Sequence, residues 1–231
     1  MRTALALALL LPLFIPAGPS VRSTEHEVRK IHGFQVEVDK ALLVAEQQPN
    51  AQLGRDALEL LSAKLFEVER SVPAHVLAKL RAVTIRLDRD DPATICACYH
   101  PSKDWLTQHG FDPLLEKHVH FANAQKFLDW SKDQPSMVLH ELSHAYHDQV
   151  LGYDEPRIRA AYERAKASKR YESVLRSNAE DDRHYGLEND QEFFAEMSES
   201  WLGVNDFYPF VRAELLRFDP QTAKLLGEIW N

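Results

Sequence analysis

Apolar residues recur with period two in a few short stretches of the first half of this chain. After residue 123 they recur almost everywhere at helical spacing. Residues 33–39 alternate through Phe34, Val36 and Val38, which predicts a strand. Residues 83–87 alternate in the same way, and 94–99 read as a further strand. Residues 118–121 place Val119 and Phe121 two apart and read as an edge strand. Leu53, Ala57, Leu60, Leu61 and Val68 predict a helix over 51–70 that Asn50 can cap. Shorter helices are expected over 74–80, 102–109 (stopped by Gly110) and 124–130, the last capped by Asn123. Beyond lie expected helices over 137–151, 156–167, 171–176, 190–202, 209–217 and 220–229. Mixed strands and helices followed by helices predict an α+β fold, with a small mixed sheet packed on the 137–151 helix and a mostly helical C-terminal half.

The first residues change the picture of where the chain works. Met1-Arg2 is followed by an apolar run over 4–15 and then by Pro16-Ala17-Gly18-Pro19-Ser20. That run is shorter than the ~20 residues of a membrane span, so residues 1–20 read as a signal peptide with a small-residue cleavage region. A secreted or periplasmic location is expected, with 21–231 as one domain and no membrane span in the mature chain. Twenty-seven basic residues against 35 acidic ones, with no basic block, argue against nucleic acid as a partner. The two cysteines, Cys96 and Cys98, admit two readings: a disulfide closing a tight ring, or two small buried side chains.

Chemistry enters at His140-Glu141-Leu142-Ser143-His144, an H-E-x-x-H sequence. Residues four apart share a helix face, so both imidazoles can reach one ion with Glu141 beside them. Zinc takes such nitrogens, one further protein ligand and a water, and Glu141 is placed to accept the proton of that water. Pro135 and Ser136 start the helix, and Gly152 stops it. His147, two turns from His140, is a further candidate ligand but reads better as a histidine just outside the ligand set or at the helix end.

The third ligand must come from elsewhere. Glu192 and Glu196 lie four apart on the expected 190–202 helix, whose Phe193, Phe194, Met197 and Trp201 give it an apolar side. Glu192 would complete a two-histidine, one-glutamate site, and Glu196 could accept the free N–H of a ligating histidine from outside the ligand set. Asn189-x-x-Glu192 also has the form of a capping box. His184 is a substitute ligand, whereas Glu188 and Glu199 are expected to lie off the Glu192 stripe.

These pieces resemble the catalytic domain of the anthrax lethal factor family of zinc peptidases, which the secreted Pro-Pro endopeptidases also resemble. The matching residues are His140-Glu141-x-x-His144-Ala145, then Tyr185-Gly186 followed by Glu192-Phe193-Phe194-Ala195-Glu196. The match covers about residues 134–202, under a third of the chain. The resemblance implies a zincin-like fold with Zn2+ on His140, His144 and Glu192, Glu141 as base, and Tyr185 facing the metal to steady the transition state. It implies an exported zinc-dependent endopeptidase of gluzincin type acting on a peptide or protein substrate. The alternative is a catalytically silent exported zinc-binding or interaction protein of the same fold.

Overall fold

Strands β1 (His26–Ile31) and β2 (Phe34–Asp39) form an antiparallel hairpin. Its two linking residues, His32 and Gly33, take φ of 50° and 85°, the left-handed backbone that a type I′ hairpin turn needs. Strand β1 was not anticipated from the pattern. None of its residues is buried and Val28 is exposed, so pairing with β2 rather than burial of one face defines it. A computed structural model supplies this architecture for residues 25–91 and 93–231. The expected signal peptide lies outside the described residues.

Helices α1 (Ala51–Ser71) and α2 (Ala74–Leu80) carry the chain over one sheet face to β3 (Ile85–Leu87). Strand β4 (Ala97–Tyr99), helix α3 (Lys103–Gln108), strand β5 (Val119–Phe121) and helix α4 (Ala124–Trp130) follow. The sheet order is β1-β2-β3-β5-β4, with β2, β3 and β5 parallel and both outer strands antiparallel to their neighbours. Strand β5 is therefore interior, not an edge as its sequence suggested. The edge is β4. Phe34, Val36, Val38, Ile85, Leu87, Val119 and Phe121 are all buried in one core with the apolar residues of α1, α4 and the motif helix. Burial of each such side chain contributes roughly 1.5–3 kcal/mol.

The motif helix α5 (Met137–Tyr146) opens into a π turn, His147–Leu151, that ends at Gly152 with φ 84°. After α6 (Pro156–Ser168), residues 171–176 are not helical as expected. They lead into a short hairpin of β6 (Val174–Leu175) and β7 (Asp181–Asp182). Tyr171 is fully buried there and its hydroxyl donates to Asp219 Oδ2 at 3.1 Å, an anchor that local propensity does not reveal. Helix α7 (Asp190–Leu202) packs directly against α5. Helix α8 (Arg212–Phe218) starts later than expected, because the Glu214 carboxylate accepts the Phe210 amide ahead of the first turn.

Helix α9 (Pro220–Ile229) delivers Trp230 into the seam between α5 and α7. Its ring stacks on Tyr146 of α5 at 4.7 Å and on Phe194 of α7 at 5.7 Å. Its Nε1–H donates to Ser198 Oγ at 3.0 Å. The fold is thus α+β, with a five-stranded mixed sheet on one side of α5 and the helical second half on the other. Among the described residues, no helix is long and apolar enough to cross a membrane.

Candidate metal centre

Helix α5 is buried along its whole length, which fixes the H-E-x-x-H side chains between the sheet edge and α7. His140 and His144, one turn apart, bring their Nε2 atoms to 3.0 Å. Glu192 Oε2 lies 3.1 Å from His140 Nε2 and 3.2 Å from His144 Nε2. The three atoms predicted to share an ion therefore meet at one point. They border a cavity of about 290 Å3 that Glu141, Tyr185, Trp130 and the β4 residues Ala97, Cys98 and Tyr99 also line.

Glu192 is set by the start of its own helix. Asn189 caps α7 by accepting the Glu192 amide at 2.8 Å, as half of the expected capping box. The Glu192 carboxylate turns instead to the two imidazoles. A capped first turn makes a rigid mount for it.

The partner of His140 on its other side corrects the sequence reading. His140 Nδ1 faces Glu199 Oε1 at 2.7 Å, while Glu196 Oε1 is 3.5 Å away. The place beside His140 Nδ1 expected for Glu196 is filled more closely by Glu199. Positions 192, 196 and 199 are spaced i, i+4 and i+7, one continuous helix face, so the spacing itself carried the signal. Glu196 remains buried beside this pair.

These contacts decide whether a cation fits. With Nδ1–H donated to Glu199, the His140 Nε2 is left with a lone pair aimed at a carboxylate oxygen and a second imidazole. Acceptors facing acceptors require positive charge between them. In the absence of an ion a proton supplies that charge: burial opposes protonation of His140, yet hydrogen bonds to Glu192 and Glu199 hold its pKa well above the usual histidine value, so a cation binding here displaces that proton. Burial would raise the Glu192 carboxyl, but its hydrogen bonds to both imidazoles hold it well below the usual carboxylate range. A divalent cation satisfies this donor set of two nitrogens and one oxygen.

Comparison of the chain with family models, with curated proteins and with solved structures finds no match.

Glu141 is buried, and its Oε2 accepts the backbone N–H of Tyr99 on β4 at 2.8 Å. Burial pushes its carboxyl pKa up, against the opposing charges of His140 and His144. Tyr185 sits 45% exposed on a 3-10 turn, Tyr185–Leu187, at the cavity wall. Partial burial and the Glu192 charge push its phenol up to about 12, so it keeps its proton at neutral pH. His184, considered as a substitute ligand, instead accepts the Gly186 amide through Nδ1 at 3.0 Å and stacks on Phe207. It braces the turn that presents Tyr185. His147 is fully buried between the rings of Tyr153 and Phe194 and takes no part in the cluster. Glu188 is exposed and pairs with Arg183.

Proposed function

We propose that this chain is an exported zinc-dependent endopeptidase of the gluzincin type, with a zincin-like catalytic region. The observation that carries the reading is the convergence of His140 Nε2, His144 Nε2 and Glu192 Oε2 within 3.2 Å beside the buried Glu141 carboxylate. His140, His144 and Glu192 would hold a zinc ion, which would supply Lewis-acid polarisation of a carbonyl and lower the pKa of a nearby water.

The chain's own groups account for the rest. Glu141, tied through Oε2 to the Tyr99 amide, takes the proton of the attacking water and passes it to the leaving amine. Its raised pKa brings proton affinity closer to neutrality, where such a shuttle is most effective. Tyr185, protonated at neutral pH, donates to the oxygen that gains charge in the transition state. Glu199 holds the His140 ring in the tautomer whose Nε2 is free to bind. The extended substrate pairs with the edge strand β4, which lines the cavity, rather than with interior β5.

The test is cleavage of a random peptide library by purified protein, with and without a metal chelator, alongside Glu141→Gln. Chelator-sensitive cleavage that disappears in Glu141→Gln supports the peptidase. Metal binding with no cleavage of any library peptide would assign the chain to the catalytically silent class instead.

A further inference from the structure

On the other side of β4 from the Tyr99 side chain, the sheet edge gathers sulfur and imidazole. Cys96, Cys98 and His100 are alternate residues along one extended segment, so their side chains share a face. The ladder extends past β4 at both ends: Ala122 N donates to Cys96 O, and His100 N donates to His118 O. His120 is the direct cross-strand partner of Cys98 on β5, which puts its ring on that same face.

The four side chains lie close together. His100 Nε2 is 3.6 Å from Cys98 Sγ and 3.3 Å from His120 Nδ1. One ligand atom each from Cys96, His100 and His120 lie within 4.8 Å of one another. His120 is fully buried and His100 is 5% exposed. Beyond them His120 Nε2 faces Asp88 Oδ2 at 2.7 Å, and Asp88 Oδ1 faces His26 Nε2 at 2.6 Å. The sulfurs are joined in a disulfide and border an open groove of about 500 Å3 beside Trp105 and Phe111.

We propose that Cys96, Cys98, His100 and His120 form a second zinc site, one that exists only when the disulfide is reduced. Two thiolates and two imidazoles are an established donor set for tetrahedral zinc, and their two negative charges neutralise the ion in a half-buried place. Asp88 takes the Nε2–H of His120 and leaves Nδ1 with the lone pair that faces the cluster. This is the carboxylate–histidine pairing that orients metal ligands. Disulfide sulfur is uncharged and is not a comparable ligand, so disulfide and metal exclude one another.

The chemistry balances with a dithiol as reductant. It gives two electrons and two protons to the Cys96–Cys98 bond and closes its own disulfide, and zinc binding then releases both thiol protons. A competing carboxylate set, Asp88, Asp91 and His120, lies on the far side of the same imidazole. Both Asp88 oxygens are already engaged by histidines, which favours the sulfur set.

Cobalt(II) distinguishes the sites, because His140, His144 and Glu192 contain no sulfur. Wild type reduced without air by a tertiary phosphine (which consumes one water and becomes the phosphine oxide) is titrated with Co2+ after phosphine removal. We expect an intense near-ultraviolet thiolate-to-cobalt absorption that is absent from oxidised protein and from Cys96→Ser/Cys98→Ser. His144→Ala should retain it, and reduced wild type should bind one more equivalent of zinc than oxidised. His100→Gln, with circular dichroism confirming its fold, should weaken Co2+ binding at this site at least tenfold. No thiolate band in reduced wild type, or a band of unchanged affinity in folded His100→Gln, overturns the proposal. Because the band reports sulfur ligation alone, it is legible even if the H-E-x-x-H site binds no metal.

Discussion

The backbone amide of Tyr99 donates to Glu141 Oε2 at 2.8 Å across 42 residues of chain. One hydrogen bond thereby ties the edge strand to the carboxylate proposed as base. Glutamine at 141 retains a carbonyl oxygen that can accept the same amide, so Glu141→Gln should fold and hold metal normally. It cannot take a proton from water, and cleavage should fall to near background. A peptide assay paired with metal analysis checks this; cleavage within a few-fold of wild type removes Glu141 from the role.

Glu192→Gln should lower zinc retention, because a neutral amide replaces the only charged member of the proposed ligand set. Glu188→Gln, at an exposed residue paired with Arg183, should retain zinc like wild type. Equal zinc content in Glu192→Gln and wild type after dialysis would exclude Glu192 as a ligand.

Glu199 is a positioning residue whose effect runs through His140. Truncation in Glu199→Ala removes the acceptor for Nδ1–H and should weaken metal affinity by about 10–100-fold. Glu199→Gln keeps an acceptor oxygen and should recover most of that loss, as read by chelator competition. Failure of the glutamine variant to rescue would point to a charge effect rather than to orientation of the ring.

Tyr185→Phe removes one hydroxyl from a ring that is half exposed, so stability and metal content should change little. A donor acting only on the developing oxyanion gives a kcat loss of roughly 10²–10³ with KM nearly constant. A rise in KM alone would make Tyr185 a substrate-binding residue.

Acid should destabilise the fold through histidines that are buried uncharged. Burial holds His147 down to about 4 and His184 to about 3, both below the ~6.5 of an unfolded imidazole. The unfolded chain therefore binds more protons than the folded one once pH drops below ~6.5. The stabilisation is complete above that value and is lost progressively as pH falls through 4. His147→Leu should lose stability less steeply than wild type between pH 6.5 and 4 in urea titrations. Parallel pH profiles for the two proteins would show that His147 does not contribute.

Helices α5 and α7 were legible because both carry strongly periodic patterns with clear start signals. The bounds of α7 and the convergence of His140, His144 and Glu192 follow from residues four apart and a cap at Asn189. Strand order was not legible. Both β4 and β5 are three-residue strands, and which one lies at the edge is decided by pairing between distant segments. The Tyr99–Glu141 bond was equally hidden, since a backbone donor leaves no trace in residue type. Glu199 was visible in principle, two turns after Glu192, but only if residues i, i+4 and i+7 of α7 are treated as one face. The expected helix at 171–176 failed because burial of Tyr171 and pairing of Val174 and Leu175 outweighed local preference.

Trp230, wedged between Tyr146 and Phe194, has an optical consequence. An indole wholly shielded from water emits at shorter wavelength than one in contact with it, and this one shifts only when α5 and α7 part. Trp130 instead lines the cleft, where a paramagnetic ion or a bound peptide would quench it. With Trp105, Trp130 and Trp201 all replaced by Phe as background, the emission of Trp230 reads the docking of α5 on α7. A chelator that strips the ion yet leaves that emission unmoved would reveal a scaffold assembled in advance of its metal.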